Sequence, residues 1–364
     1  MLNGSLRELL ELAVNSKASD LHIVQGRPVV LRIDGKLVDT DCTLDQEHMT
    51  QFLSEMATEE MIEKFHKLGD LDLSYVEEGI GRFRVNAHKQ RGKIAFTLRH
   101  VKSKIMRIDQ IGVPPILTEI AESERGIIIL TGTTGSGKST TLAAMLEHVN
   151  LNFRKHIITI EDPIEYEFHD KKSLFEQREV GIDTDSFKFA LVHALRQDPD
   201  IIMVGEMRDK VSFDAALQAA DTGHLVLSTL HATNASQAIT RILDFYEHHE
   251  HEGIRLALSM NLRAIISQRL IPKAFGGGVA PGVEIMINTP IVRKLLEKDQ
   301  VEKLPQAIGA GKEDGMQTFN QSLLGLMNEG LITEEDALKT ATNPEALKMA
   351  MAGIDQNNGS SIIT

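Results

Sequence analysis

The stretch GIIILTGTTGSGKSTTLAAMLEHV (126–149) constrains this chain more than any other. An apolar run of strand length, GIIIL, leads into a glycine-rich turn, and a helical pattern follows. Within the turn, Gly132, Gly137, Lys138 and Ser139 satisfy G-x-x-x-x-G-K-[ST] in the strand–loop–helix order that gives the motif its meaning. Glycines let successive backbone N–H groups close around phosphate oxygens, and the start of the helix adds the positive end of its dipole. Gly132, Thr133, Thr134, Gly135, Ser136, Gly137, Lys138, Ser139 and Thr140 are therefore the expected nucleotide loop. Lys138 is expected to reach the β and γ oxygens, and the Ser139 hydroxyl to ligate Mg²⁺. ATP and Mg²⁺ are the ligands this implies.

The loop needs a sheet to carry it. GIIIL, HIITI, DIIMVG and HLVLSTL are continuous apolar runs, which is how strands buried on both faces of a parallel sheet read. Helical segments alternate with them, so the class is α/β. The expected nucleotide-binding core spans 116–270. A linker at 101–115, containing VPP, separates it from a smaller α+β domain at 1–100. From about residue 252 the pattern reads as mostly helical, with a flexible turn at the GGG of 276–278. Residues 271–352 form a mostly helical part, and 353–364 a polar tail expected to be disordered.

In open α/β sheets ligands bind beyond the carboxyl ends of the strands. Glu206, just past DIIMVG, is expected there, as a Mg²⁺ ligand through water or as the group that orients the attacking water. Glu161, Asp162 and Glu165 cluster past HIITI, and one of them is expected to hold water in line with the γ-phosphate.

In the first hundred residues, MLNGSLRELLELAV reads as an amphipathic helix with Ser5 and Glu8 as a capping box. VVLRIDGKLVDT reads as a hairpin around Asp34-Gly35, 45–68 as helical and 70–76 as a strand. RFRVNAH (82–88) and KIAFTLR (93–99) form a hairpin through KQRG. Pairing Phe83 with Leu98, Val85 with Phe96 and Ala87 with Ile94 places the apolar residues on one face. That register sets Arg82 opposite Arg99 with Arg84 beside them. Like charges directly opposite repel, so the face is either a solvated arginine surface or one that an anion covers.

The net charge of −13 argues against general binding to a phosphate backbone, so no nucleic-acid partner is expected. A DNA-directed motor is disfavoured for the same reason and for want of an aromatic–basic stripe. The one cysteine, Cys42, excludes an intrachain disulfide. With no signal peptide in view, this fits a reducing cytoplasm. No stretch approaches the ~20 apolar residues of a membrane-spanning helix. EHHEHE (247–252) reads as a solvated surface turn between helices rather than a metal site.

Taken together, GTTGSGKSTT (132–141), TIEDPIEY (159–166), DIIMVGEMRD (200–209), TGHLVLSTLHATNA (222–235) and GMQTFNQSL (315–323) resemble the secretion ATPases of type II secretion and type IV pili. Within that family they look like the PilT/PilU-type retraction motors. The resemblance implies an N-terminal PAS-like domain and a RecA-like ATPase core, assembled as a homo-hexameric ring in the cytoplasm at the pilus base. It implies an inner-membrane platform protein as partner, and a paralogous retraction ATPase as a further one. It makes Glu165 the catalytic carboxylate and Glu206 the Walker B glutamate. Arg82, Arg84 and Arg99 fall in the family's arginine set at the γ-phosphate, and His224 and His231 are its histidine pair. The stretch TPIVRKLLEKD (289–299) matches the principal motors poorly, and other segments look closer to the accessory PilU type. Asn320 stands where the family usually has an acidic residue.

The two histidines flank one strand. Seven residues at ~3.3 Å separate their Cα atoms by roughly 23 Å if the strand is extended, so one phosphate cannot touch both rings. His231, at the carboxyl end near Thr229, is expected to read the γ-phosphate. His224, at the far end, is expected to act in structural coupling or at an interface, or simply to cap the strand.

Overall fold

The computed structural model describes residues 4–33, 35–101 and 104–353. Asp34 of the first expected hairpin and the tail from 354 onward lie outside the described residues. The chain divides into two compact units, Met1–Lys104 with Glu165–Glu167, and Ile105–Ile164 with Phe168–Thr364.

The first unit is a six-stranded antiparallel sheet with helices packed on it. Its strands are β1 (Asp20–Val24), β2 (Pro28–Ile33), β3 (Lys36–Thr43), β4 (Asp70–Glu77), β5 (Gly81–Gln90) and β6 (Lys93–His100), in the order β3-β2-β1-β6-β5-β4. Alternation makes one face apolar. Leu21, Ile23, Leu71, Leu73, Phe83, Val85, Phe96 and Leu98 join Leu6, Leu9 and Leu10 of the first helix in one core. That helix starts at Leu6, where the Ser5 hydroxyl accepts from the Glu8 amide. The helical stretch expected over 45–68 is two helices, Gln46–Met56 and Glu59–Leu68. Thr58 begins the second as its N-cap, because its hydroxyl accepts from the Met61 amide.

The β5–β6 hairpin keeps the expected faces but not the expected partners. Its register pairs Phe83 with His100, Arg84 with Arg99, Val85 with Leu98 and Ala87 with Phe96. Pairing runs on to Gln90 and Lys93, so the turn is Arg91-Gly92 alone, with φ of 52° and 75°. Two consecutive positive φ values make the tight hairpin turn whose twist matches the strands. Moving from a longer loop to this turn shifts the register by two, which preserves the inward face. Arg84, not Arg82, therefore stands opposite Arg99. Repulsion is relieved from β1: Asp20, buried, accepts from Nε and Nη2 of Arg99 at 2.8 Å. Burial pushes the Asp20 carboxyl up, but the Ser19 hydroxyl and the Arg99 guanidinium outweigh it and hold it below its usual value.

The second unit is built on seven strands: β7 (Gly126–Thr131), β8 (His156–Glu161), β9 (Leu174–Glu179), β10 (Ile201–Val204), β11 (Leu225–Leu230), β12 (Leu262–Pro272) and β13 (Val279–Ile287). Their order is β13-β12-β7-β11-β10-β8-β9. All neighbours are parallel except the β12–β13 pair. Every residue of β7, β10 and β11 is buried, as the continuous apolar runs required. Helices on both faces complete a core around Ile127, Ile129, Ile158, Val204, Phe213 and Val226.

The reading of a mostly helical chain from about 252 is corrected here. A helix ends at Asn261, and β12 begins at the next residue, pairing with β7 in parallel. GGG lies in the turn to β13, closed by the Lys273 amide on the Gly278 carbonyl. These two strands bury both faces at the margin of the sheet. Helices resume at Pro290.

Candidate functional site

Three adjacent parallel strands, β7, β11 and β10, release their carboxyl ends on one edge. Neighbouring strands lie about 4.8 Å apart, so the loop after β7, His231 after β11 and Glu206 after β10 leave the sheet within roughly 10 Å of one another. Hydrogen bonds tie the β10 and β11 ends together. Thr229 Oγ1 donates to the Gly205 carbonyl at 2.7 Å, the Met207 amide to the Thr229 carbonyl at 3.1 Å, and Ser228 Oγ to the Val204 carbonyl at 2.7 Å.

The loop itself turns at Gly132 (φ 145°), Gly135 (79°) and Gly137 (86°). A Cβ at Gly132 would come 2.5 Å from the Gln268 carbonyl, and one at Gly137 would come 2.7 Å from Gln268 Nε2. Both positions therefore require glycine for space as well as for conformation. Lys138 opens the helix Lys138–Asn152 and curls back, its Nζ donating to the carbonyls of Gly132 (2.8 Å) and Thr133 (3.1 Å). Ser139 follows in the first turn, half-buried.

The loop fits a phosphate-bearing ligand on its own geometry. Gly137 at the N-cap brings no side chain over the start of the helix, so a phosphate can approach the positive end of its dipole. Thr131 Oγ1 and Ser136 Oγ are buried without a hydrogen-bond partner. A cavity of about 440 Å³ adjoins the loop at Gly137, Thr140 and Thr141, walled on its apolar side by Met106, Leu270, Pro281 and Leu331.

Glu206 is held from two sides. Its Oε1 lies 3.2 Å from His231 Nε2, and its Oε2 lies 2.7 Å from Arg208 Nη2. The Arg208 guanidinium is pushed above its ordinary value by that hydrogen bond and by the Glu206 charge, with Asp162 adding to it. Of the three carboxylates grouped after β8, Glu161 is buried, accepting from Thr159 Oγ1 at 2.7 Å and Gln177 Nε2 at 3.1 Å. Asp162 is exposed just past the strand end, and Glu165, also exposed, groups with the first unit.

The two histidines part as strand geometry requires. His231 is half-exposed and joined to Glu206. His224 sits at the amino end of β11, where its Nδ1 donates to the Ala219 carbonyl at 2.9 Å and lies 3.1 Å from Thr222 Oγ1. Its main chain is pinned as well, with the Gly126 amide on its carbonyl. Arg82, Arg84 and Arg99 belong to the first unit, where Arg82 Nε donates to Ser74 Oγ at 2.7 Å and Arg84 is exposed.

Sequence reasoning passed over two residues of this neighbourhood. Arg208 stands two positions beyond Glu206, and an opposite charge beside a strand-end carboxylate was the signal for it. Gln268 lies more than a hundred residues from the loop it supports, and no local pattern marks it. The EHHEHE run forms a short 3-10 turn and the start of the helix His251–Asn261. No cluster able to hold a metal ion occurs among the described residues. Among the same residues no helix is long and apolar enough to cross a membrane.

Sheet order, phosphate loop and strand-end carboxylate define a P-loop ATP hydrolase with a RecA-like core. The family model described as Type II/IV secretion system protein matches residues 2–316, and the chain belongs to that family. Two Pseudomonas aeruginosa proteins are similar to it over most of their length. The type IV pilus ATPase PilU is 40% identical over 94% of this chain and 90% of its own. The type IV pilus retraction ATPase PilT is 42% identical over 93% and 99%. Among solved structures, the pilus retraction motor PilT with bound ADP superposes with a TM-score of 0.89 at 40% identity, covering 94% of this chain and 99% of that one. The Legionella pneumophila ATPase DotB gives 0.75 at 26% identity, covering 96% and 95%.

Proposed function

We propose that this chain hydrolyses MgATP at the edge formed by the 132–140 loop, Glu206 and His231, and uses the energy to retract a type IV pilus. The observation that carries the chemistry is the pairing of Glu206 with His231 at the same strand ends that present the phosphate loop. The loop amides and Lys138 bind the β and γ phosphates. The base lies in the apolar-walled cavity beside Gly137 and Thr140. Ser139, and Glu206 through water, would hold Mg²⁺, which when bound would supply charge neutralisation at the phosphates. His231 reads the γ-phosphate, and the Arg208 contact at 2.7 Å orients Glu206. Glu165 activates the attacking water, and Arg82, Arg84 and Arg99 neutralise charge that develops on the transferred group. An arginine in that role is worth roughly 10³–10⁵ in rate in other phosphoryl-transfer enzymes. His224 braces the far end of β11.

Pilus retraction is supported by the likeness to PilT and PilU across nearly the whole chain. The working form in this reading is a homo-hexamer in the cytoplasm at the pilus base, acting on an inner-membrane platform protein and beside a paralogous ATPase. The test is complementation of a strain lacking this protein and its paralogues. Wild type is expected to restore retraction and Lys138→Ala to fail. Retraction by Lys138→Ala at the wild-type rate would overturn the reading.

A second reading, an accessory ring whose own hydrolysis is dispensable, rests on the divergent 289–299 stretch, the identities to PilU (40%) and PilT (42%) being nearly equal. It predicts that Lys138→Ala rescues fully when a principal motor is present.

A further inference from the structure

Two adjacent residues of β12 reach opposite faces of the sheet, because side chains alternate along a strand. On one face Gln268 is almost fully buried against the phosphate loop. Its Nε2 donates to the Ser136 carbonyl at 2.8 Å, and its Oε1 accepts from Thr141 Oγ1 at 2.8 Å. With its own carbonyl beneath Gly132 and its amide beneath Gly137, it grips both ends of the loop. On the other face Arg269 holds three separate segments. Nη1 donates to the Thr340 carbonyl at the end of the helix Glu334–Thr340, at 2.6 Å. Nη2 lies 3.4 Å from the Thr233 carbonyl, two residues past His231. The guanidinium carbon stands 4.0 Å from the ring centroid of Phe319, the first residue of the helix Phe319–Asn328. Glu284, buried on β13, lies near enough for its charge to act on the guanidinium.

Resting on the ATP-site reading above, we propose that Gln268 is a positioning residue for the phosphate loop and Arg269 its mechanical continuation. Together they make the docking of the helices at 319–340 depend on whether the loop holds nucleotide. A bound phosphate recruits the loop amides and draws Lys138 Nζ off the Gly132 and Thr133 carbonyls. The loop then resettles against Gln268. A strand is stiff and the two residues share a peptide bond, so a shift at Gln268 moves the Arg269 head. That head can follow only by changing its grip on Thr340, Thr233 and Phe319. The C-terminal helices thus sense the site without touching the ligand.

The test is hydrogen–deuterium exchange on the full chain, with and without a non-hydrolysable ATP analogue and Mg²⁺, alongside a fluorescent-nucleotide measurement of Kd. In wild type the analogue is expected to alter exchange in 132–141 and also in 319–340. Arg269→Met is expected to bind within about twofold of wild type and to keep the loop response, but to lose the response in 319–340. Gln268→Met is expected to raise Kd roughly tenfold, the loss of about one well-placed hydrogen-bonded group. At saturation it too should leave 319–340 unresponsive. Arg269→Lys, the milder variant should methionine fail to fold, keeps charge but not the planar fork, and is expected to give a reduced response. A wild type whose 319–340 segment ignores nucleotide, or an Arg269→Met or Arg269→Lys chain that responds as fully as wild type, would overturn the link alone. A wild type that binds no nucleotide would overturn the ATP-site reading and the link with it.

Discussion

The two ends of β11 carry the same side chain in opposite circumstances. At the amino end, His224 donates to a carbonyl of its own neighbourhood, and its main chain closes the start of β7. At the carboxyl end, His231 reaches a carboxylate from the neighbouring strand, beside a glycine-rich loop whose helix has no side-chain cap. The difference lies in the sheet rather than in the residue. Parallel strands gather their carboxyl ends, and the loops that follow them, on one edge. A histidine placed there meets other strands' functional groups, while one at the opposite edge meets the turn that led into it.

The largest expected effect falls at the carboxyl end. Glu206→Gln removes the charge that His231 and Arg208 share, and ATP turnover should fall about 10²–10³-fold, the range for losing one preorganised electrostatic contact at the reacting phosphates. Nucleotide affinity should change far less, which a Kd measured beside kcat would check. His231→Ala should lower kcat by roughly 10- to 100-fold, as expected for one hydrogen bond to a charged group, with the melting curve little changed. Turnover untouched in His231→Ala but abolished in a folded His224→Ala would invert the comparison.

A smaller effect concerns Glu284, buried between β12 and the loop after His231. Burial raises its pKa above the usual 4.5, against the opposing pull of the Ala235 amide, the Arg269 charge and the Ser267 hydroxyl. An acid whose folded-state pKa is raised favours folding when protonated, so its contribution is full below about pH 4.5 and is lost as pH rises through the folded value. Glu284→Gln keeps an acceptor for the Ala235 amide without that penalty. Its melting temperature should match wild type near pH 4 and exceed it increasingly toward pH 8. A difference independent of pH would show that the carboxylate is not destabilised there.

The smallest effect belongs to the amino end. His224→Ala gives up its hydrogen bond to Ala219 and should cost about 1 kcal/mol of stability, with turnover within about twofold of wild type. Denaturant unfolding and a steady-state assay on the same sample would separate the two.

What could be read from the sequence followed what is local. The phosphate loop, Glu206 and the buried strands β7, β8, β10 and β11 are each written in a dozen consecutive residues. The hairpin faces were also legible, since alternation survives a register shift of two, but the partners were not. They depend on Arg91 adopting positive φ beside Gly92. β9 (LFEQRE) escaped because an edge strand with polar alternation carries no apolar run. β12 escaped because it follows a helix without a break and its apolar run does not distinguish the two periods. Gln268 and Arg208 act through contacts that only the folded sheet creates. Asn320 shows the same limit: its amide donates to the Asn343 carbonyl across the C-terminal helices, a tie that its family position did not suggest.

The most direct measurement is steady-state ATP hydrolysis by the purified chain, with Glu206→Gln and His224→Ala assayed beside wild type at matched fold stability. Activity in wild type and His224→Ala, with near-complete loss in Glu206→Gln, is the expected result. Full turnover in Glu206→Gln would contradict a hydrolytic site at the carboxyl edge of the sheet.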